Sequence, residues 1–469
     1  MTKAESKALK EKLFSTKKNG YDLLKAEEYS AMNAYCEEYK AFLDIGKTER
    51  LCAAEAVRLA EQAGYVPFTR GMALKAGDKV YFNNRGKSVL LAYLGSKPLD
   101  EGGARIAASH IDSPRLDLKP NPLYEDGGLA YFKTHYYGGI RKYQWTTIPL
   151  ELHGVVALRD GTKVEVNIGH DAGDPRLVMT DLLPHLGAEQ NKKPLSEAIP
   201  AETMNLLLGS QPIGEREDKD RVKLGVMKLL HEKYGITEDD FTSAELEAVP
   251  TAPACDIGLD RSMIGAYGHD DRVCGYAALR ALLDLTETPV KTCVCVLADK
   301  EEIGSDGVTG MQSAAFDTFM EDLCDIQGVP LRACFEKSFC LSADVTAAFD
   351  PNFADVYEKR NAAILNYGIG LCKYTGARGK SGASDADAET VAYVRNLFDA
   401  ADVIWQISEL GKVDAGGGGT VAMYMANRNI TTLDAGVPVL SMHAPFEVVS
   451  KLDCYETYKG MRAIFEAAD

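Results

Sequence analysis

The spacing of hydrophobic and polar residues changes along the chain and predicts a succession of helices and strands. From residue 5 to about residue 66, apolar side chains recur every three or four positions, as in "TERLCAAEAVRLAEQAGY", which predicts helices. From residue 79 the period becomes that of strands, as in "KVYFNNRGKSVLLAYLG". After residue 250, helix and strand patterns alternate. Such alternation predicts a largely parallel sheet with helices on both faces.

The region between residues 130 and 180 has a different pattern. Short strand-like segments such as "LELHGVVALRD" and "KVEVNIG" are separated by glycines and charged turns, which is typical of a mainly β module. We therefore predict an α/β protein with two domains. A three-layer domain with a mixed, largely parallel sheet is built from residues 1–118 and 250–469, and a β-rich domain at 119–249 is inserted into it.

Composition and charge narrow the class of protein. The chain has 469 residues, of which 46% are hydrophobic and 26% charged, as in an ordinary globular protein. Its net charge of -17 disfavours nucleic acids and anionic membranes as partners. We find no apolar run of the roughly 18 residues that a membrane span needs, and no signal peptide at the start. The eleven cysteines form no CxxC pair, which favours a reducing cytoplasm over a disulfide framework.

Side chains that can bind metal ions follow short apolar runs at five places. In an α/β sheet, the site normally lies beyond the carboxyl ends of the strands. A mixed set of imidazoles and carboxylates suits zinc, manganese or cobalt, and it is too large for one ion, so we predict two metals about 3.5–4 Å apart. The candidates are His110, Asp112, Asp270, Asp271, Glu301, Glu302, Asp344 and His443.

Each of these motifs, taken alone, also has an ordinary structural explanation. A lone histidine such as His443 is more often a packed loop or core residue than a ligand. The segment "GHDDR" could begin a helix, where acidic residues are favoured by the helix dipole. Their coincidence at several strand ends is what favours a metal site.

The adjacent carboxylates of Glu301 and Glu302 would be costly to bury without a nearby cation. Adjacent residues of a strand point to opposite sides. We therefore predict that Glu302 binds a metal while Glu301 faces the attacking water as general base. By the same alternation, His110 would bind a metal while Asp112 orients a ligand from behind.

The glycine run at 415–420, "AGGGGT", is a weaker signal. It lacks the lysine of a P-loop and the spacing of a dinucleotide fingerprint. It is either a backbone that approaches a substrate closely, through Gly417 and Gly418, or a flexible turn. The sequence shows no Gly-x-Ser-x-Gly elbow, so covalent nucleophilic catalysis has little support.

The motifs "SHIDSPR", "GHDDR", "DKEEIGSDGVTGMQS", "SADVTAAFDPNF" and "SMHAPFEV" together resemble the aspartyl aminopeptidase family of co-catalytic dizinc exopeptidases. The resemblance spans nearly the whole chain. It implies a zinc aminopeptidase that removes the N-terminal residue of short peptides, with two zinc ions per subunit that cobalt or manganese can replace. It also implies Asp270 as the bridging ligand, Glu301 as the general base and Asp112 as the carboxylate behind His110. The implied metal ligands are His110, Asp270, Glu302, Asp344 and His443.

The resemblance further implies an assembly. Members form tetrahedral dodecamers in which the inserted domain makes dimer contacts. In some members a histidine of the insert reaches a neighbour's active site, and His185 in "LLPHLG" is the candidate here.

One departure from the family pattern concerns substrate choice. Members selective for acidic N-terminal residues carry histidines shortly after the "SAD" ligand, where this chain has Ala347 and Asp350. Asp350 would repel an acidic side chain, whereas Lys373 would attract one unless it is simply a surface charge. The sequence thus supports the aminopeptidase reaction more than an acidic preference. Two alternatives remain open: a dizinc deacylase of N-acyl amino acids, and a non-catalytic relative that assembles or binds peptides.

Overall fold

The computed structural model describes residues 1–468; the predicted domain limit at residue 469 lies outside them. Twelve α-helices occur in the described chain. They are α1 (Lys3–Leu13), α2 (Ala26–Ile45), α3 (Glu49–Gln62), α4 (Leu99–Gly102), α5 (Leu195–Ala198), α6 (Arg221–Tyr234), α7 (His269–Leu283), α8 (Ala315–Gln327), α9 (Leu331–Lys337), α10 (Ala388–Ala400), α11 (Ala422–Ala426) and α12 (Lys451–Glu466).

The same residues form twenty-three strands. They are β1 (Val66–Pro67), β2 (Lys79–Asn84), β3 (Ser88–Tyr93), β4 (Ala104–His110), β5 (Arg115–Asp126), β6 (Leu129–Tyr137), β7 (Pro149–Ala157), β8 (Lys163–Ile168), β9 (Leu177–Val178), β10 (Asn205–Gly209), β11 (Ala244–Pro250), β12 (Cys255–Ile257), β13 (Met263–Ala266), β14 (Thr292–Ala298), β15 (Phe339–Ser342), β16 (Thr346–Ala347), β17 (Ile369–Cys372), β18 (Gly376–Ala377), β19 (Trp405–Ile407), β20 (Gly417–Gly418), β21 (Thr431–Gly436), β22 (Pro438–Leu440) and β23 (Glu447–Ser450).

A nine-stranded sheet forms the centre of the protein, in the order β1-β2-β3-β14-β4-β15-β21-β17-β19. Its middle strands β14, β4, β15 and β21 are mutually parallel. Strand β3 runs antiparallel to both of its neighbours, whereas β17 runs antiparallel to β21 and parallel to β19. Alternate residues of β14 pack on opposite sides: Cys295 lies in the core with α2, α7 and α12, and Val296 lies in the core with α8 and α11. The predicted mixed, largely parallel sheet between helical layers is confirmed.

A second sheet is built from the middle of the chain, in the order β11-β5-β6-β10-β9-β7-β8. Strand β11 also pairs with β7, which closes six of the strands into a ring. Its interior contains Phe132, Leu152 and the fully buried Trp145. The strands of this sheet run from Arg115 to Pro250, so it begins slightly before the predicted limit at residue 119.

The predicted helical stretch from residue 5 to 66 is wrong in one part. Helix α1 ends at Leu13 and α2 begins at Ala26, with a short turn between them. The Asn19 side chain accepts a hydrogen bond from the Tyr21 amide at 3.0 Å, which favours a turn over a continuing helix. Gly20 then packs so closely that a Cβ there would lie 2.6 Å from Leu452 Cδ1.

None of the helices within residues 1–468 is long and apolar enough to cross a lipid bilayer.

Candidate active site

The candidate metal ligands lie together at one edge of the central sheet. Strands β14, β4 and β15 are parallel neighbours, so their carboxyl ends meet at that edge. His110 is the last residue of β4, and the turn Glu301–Ile303 and Asp344 follow β14 and β15. Helix α7 contributes Asp270 from its first turn, and the loop after β22 contributes His443.

Asp270 lies between the two imidazoles. Its Oδ1 is 3.3 Å from His110 Nε2, and its Oδ2 is 3.1 Å from His443 Nε2. Asp344 Oδ1 is 3.9 Å from His110 Nε2, on one side of Asp270. Glu302 Oε1 is 3.5 Å from His443 Nε2, on the other side. The donors therefore lie in one group on the His110 side and one on the His443 side of Asp270, and this carboxylate could serve both groups.

Glu301 is close to the same centre but belongs to neither group. Its Oε2 is 3.7 Å from His110 Nε2. Burial raises its pKa to about 7, which suits a group that must accept and return a proton near neutral pH. The structure thus brings the predicted general base within reach of both donor groups.

The explanation that the sequence suggested for the two glutamates is wrong. Strand β14 ends at Ala298, and Glu301 and Glu302 lie on a 3₁₀ turn rather than on the strand. Lys300 just before them has a left-handed backbone with φ +69°. The two carboxylates therefore diverge because of the turn geometry, not because of strand alternation.

The electrostatics of the cluster show that the donor set fits cations. Burial raises the pKa of Glu302 and of Asp344 well above the ordinary range, since several carboxylates crowd one site. Burial would lower the pKa of His110, but hydrogen bonds to Asp112 and Asp270 raise it well above its usual value. Glu302 Oε1 and Asp271 Oδ1 are buried without a hydrogen-bond partner. Unpartnered buried oxygens and crowded carboxylates are what bound cations would satisfy.

Asp112 lies next to the His110 ring, but beyond the end of β4, so strand alternation does not explain its position. Its Oδ1 is 3.3 Å from His110 Nδ1, and the ring nitrogen is also 3.0 Å from the Asp112 carbonyl oxygen. The Asp112 carboxylate accepts hydrogen bonds from the amides of Glu301 and Glu302, at 3.1 and 3.2 Å. It also accepts one from the Tyr137 hydroxyl at 2.7 Å. Asp112 can thus position both a ligand and the general base.

Sequence reasoning missed several residues that shape the site. Glu447 accepts hydrogen bonds from the amides of Asp270 and His443, at 3.1 and 2.6 Å, so it fixes the backbone of two ligands. Glu447 lies four residues after His443 in the same motif, and this spacing was the sequence signal that could have revealed its role. Tyr137 and Gly139 belong to the second sheet and its following loop, and the Gly139 carbonyl lies 2.8 Å from His443 Nδ1. No local sequence pattern could have shown that Gly139 lies next to His443.

The sequence identified Asp271 as a candidate metal-binding residue, but the family resemblance did not include it among the implied ligands. Its carboxylate lies with His110 and Asp344 in a group of donor atoms that are all within 4.8 Å of one another. Its Oδ2 accepts a hydrogen bond of 3.4 Å from the His110 amide. Burial raises its pKa well above the ordinary range.

The ligands face a cavity of about 310 Å³. Its wall combines apolar groups with a glycine-rich edge that includes the predicted Gly417 and Gly418. The side chains of this wall within residues 1–468 include no lysine or arginine. The other lining residues that bear on substrate choice are Val345, Thr346, Gly370, Thr375, Leu410, Gly419, Asp434 and Met442.

Three predicted substrate residues do not line this cavity. The Asp350 carboxylate accepts a hydrogen bond from the Asn352 amide at 2.8 Å and begins a 3₁₀ turn. Lys373 Nζ is 2.9 Å from Asp385, so it already has an acidic partner. His185 lies exposed on a short 3₁₀ turn.

A three-layer α/β fold whose sheet edge presents two histidines and several carboxylates around a shared aspartate defines a metal-dependent hydrolase. The model of the aminopeptidase I zinc metalloprotease (M18) family matches residues 42–465. The chain therefore belongs to the M18 family and is a zinc metallo-aminopeptidase, and the family resemblance of its motifs is confirmed.

Individual relatives agree with this family. The probable M18 family aminopeptidase 1 of Clostridium acetobutylicum is 48% identical over 454 residues, which are 95% of this chain and 97% of that protein. The crystal structure of an M18 aminopeptidase from Thermotoga maritima matches with a TM-score of 0.92 and 44% identity, covering 96% of this chain and 99% of that chain. The mApe1 dodecamer of Saccharomyces cerevisiae shares the fold, with a TM-score of 0.76 at 20% identity over 94% of this chain and 98% of its own.

Proposed function

We propose that this aminopeptidase binds two zinc ions and uses Glu301 as its general base to release the N-terminal residue of short peptides. The observation that carries the proposal is the position of Asp270, with one oxygen facing His110 and the other facing His443. On this basis, one ion has His110, Asp270 and Asp344 as ligands, and the other has His443, Asp270 and Glu302. Cobalt and manganese accept the same donors and can replace zinc.

Different residues of the chain have different roles in the reaction. When bound, zinc polarises a carbonyl group and makes a water molecule more acidic. Glu301 accepts the proton of the attacking water and then gives it to the leaving amine. Asp112 holds the His110 ring and the Glu301 backbone in place through its hydrogen bonds. Asp434, a carboxylate of the cavity wall that is not proposed as a ligand, attracts the positively charged α-amine of a peptide.

We propose neutral or apolar N-terminal residues as the preferred substrates. The cavity wall offers Val345, Leu410 and Met442 to an apolar side chain. An acidic side chain would instead face Glu301 and Asp434, the two lining carboxylates that are not proposed as ligands, without a lysine or arginine among the described lining residues. Lys373, the one cation that the sequence offered, is paired with Asp385.

A kinetic panel tests the reaction and the preference together. We expect leucine and methionine p-nitroanilides to be cleaved at least about tenfold faster, in kcat/KM, than the aspartate and glutamate compounds, because an unpaired buried charge costs several kcal/mol. Acetylating the α-amine of a good peptide substrate should abolish turnover, because an aminopeptidase site then has no free amine to bind.

The same panel separates the alternatives. Hydrolysis of N-acetyl amino acids at a rate equal to that of free peptides would instead show a deacylase. Faster cleavage of the acidic compounds would overturn the proposed preference while leaving the reaction itself intact.

We also propose a division into domains, an assembly and a location. Residues 1–118 and 250–468 form the catalytic domain, and 119–249 form the inserted domain, whose exposed Leu224 and Leu229 suit contacts between subunits.

A tetrahedral dodecamer of the 51.0 kDa chain would have a mass of about 612 kDa, and light scattering after gel filtration measures this mass directly. A mass equal to that of the monomer would refute the assembly. All eleven cysteines are free thiols, which supports a cytoplasmic location.

A further inference from the structure

A second cluster of metal-binding side chains lies in the sheet formed by the middle of the chain. Glu151 and His153 are two residues apart in β7, so they project from the same face of the strand. His170 follows β8, the strand that pairs with β7. Glu151 and His153 are buried, whereas His170 is 38% exposed. These three residues have no part in the active site described above.

The distances among their donor atoms suit one small cation. Glu151 Oε1 is 3.0 Å from His153 Nε2 and 3.6 Å from His170 Nδ1. One donor atom from each residue lies within 4.8 Å of the other two. Tetrahedral zinc with bonds of 2.0–2.1 Å separates its ligand atoms by roughly 3.3 Å. The two separations from Glu151 bracket that value, and the third, between His153 and His170, is within 4.8 Å.

The backbone next to His170 packs closely against strand β7. Gly169 has φ +96°, and a Cβ there would lie 3.1 Å from the Glu151 Cβ, so a larger residue would separate the loop from the strand. The Gly169 amide donates to the Asp174 carboxylate at 3.1 Å, and the Arg176 guanidinium donates to the Gly169 carbonyl. The loop that carries His170 is therefore held against β7 at both its amide and its carbonyl.

Lys47, a cationic side chain near Glu151, is directed elsewhere. Lys47 Nζ donates to the carbonyl oxygens of Ala252 and Pro250, at 2.9 and 3.4 Å. Its charge acts on the Glu151 carboxylate only through space. The direct partners of Glu151 Oε1 are the two imidazoles, and imidazole nitrogens with a carboxylate oxygen are the donor set that zinc and neighbouring transition metals prefer.

We propose that Glu151, His153 and His170 bind a divalent transition-metal ion, zinc in the first instance, at a site separate from the active site. Water completes the coordination on the exposed side of His170. Such an ion joins β7 to the loop after β8 and stabilises this part of the second sheet without taking part in peptide hydrolysis.

Metal content of purified protein tests the site. The protein is stripped with a chelator, dialysed against zinc, separated from free metal by gel filtration, and analysed by mass spectrometry of the elements. We expect His170→Gln and His153→Gln to hold one zinc ion per chain fewer than wild type. Peptide hydrolysis by His170→Gln should equal that of wild type. His135→Gln, which changes an exposed histidine of β6 outside the cluster, should keep the wild-type metal content.

A second measurement separates this site from the active site. In an Asp270→Asn background, which removes the shared carboxylate of the active site, added zinc should still raise the melting temperature. That increase should vanish in the double variant with His170→Gln. Because His170 is exposed, this substitution leaves the fold intact, and circular dichroism checks it.

Two results would overturn the proposal. One is a zinc content of His170→Gln and His153→Gln equal to that of wild type, which would make the cluster a hydrogen-bonded trio without an ion. The other is loss of the zinc-induced stabilisation with Asp270→Asn alone. Neither result depends on how many ions the active site holds, because the difference between variants is what is measured.

Discussion

Replacing Glu301 by glutamine should lower kcat by roughly 10²–10⁴-fold, the usual contribution of a positioned general base. The amide has the size of the carboxyl group but cannot accept the proton of the attacking water. The zinc content and the melting temperature should stay close to those of wild type, because Glu301 belongs to neither group of proposed ligands. Steady-state kinetics with a leucine substrate and elemental analysis measure the two effects.

The matched control is Glu321→Gln, which makes the same chemical change on the exposed face of α8. It should leave kcat and KM unchanged. Near wild-type turnover by Glu301→Gln would refute the assignment of the base. Loss of zinc from that variant would instead make Glu301 a ligand.

Removing the metal ions should abolish activity and destabilise the protein, increasingly so as the pH rises. Burial raises the pKa of Glu301 to about 7, and hydrogen bonding to Asp270, outweighing burial, raises the pKa of His443 to about 10. The Glu301 carboxyl therefore opposes folding of the metal-free protein progressively from its ordinary pKa of 4.5 up to about 7 and by a constant amount above that, and this cost disappears in acid. Protonated His443 stabilises that protein fully below its ordinary pKa of about 6.5, and this contribution is lost as the pH approaches 10.

Both effects have the same sign, so the melting temperature of chelator-treated protein should fall between pH 6.5 and pH 9. Added zinc should restore activity and raise the melting temperature more at pH 8.5 than at pH 6.5. The gain in unfolding free energy is about 4 kcal/mol at a thousandfold excess over Kd. Differential scanning fluorimetry with and without zinc measures this.

Magnesium is the control, because it prefers oxygen ligands and keeps its own water. It should restore neither activity nor stability. A zinc-induced shift in melting temperature that is the same at both pH values would contradict the electrostatic argument.

Much of the fold and of the candidate site follows from local patterns. His110 and Asp344 could be predicted because each follows a short buried strand, and parallel strands end at one edge of a sheet. The alternation of helix and strand patterns likewise predicted the central sheet. Both predictions need only the periodicity of the chain and the geometry of parallel strands.

The rest depends on contacts between distant segments. Tyr137 reaches Asp112 from another sheet, and Lys373 meets Asp385 across a turn, so neither role has a local signal. The left-handed backbone at Lys300 turns the chain away from the strand direction before Glu301. The pattern of apolar and polar residues does not indicate this backbone conformation. The cluster of Glu151, His153 and His170 is created by the pairing of β7 with β8 and the tight turn at Gly169.

The two imidazoles that face Asp270 come from segments that are made far apart in the synthesis of the chain. His110 is made early, whereas His443 lies close to the end of the chain. Between them the ribosome must complete the whole second sheet, whose Tyr137 and Gly139 support the ligands on either side. A partial chain lacks one of the imidazoles that face the shared aspartate. The proposed metal centre therefore cannot be complete before the chain has been made through His443.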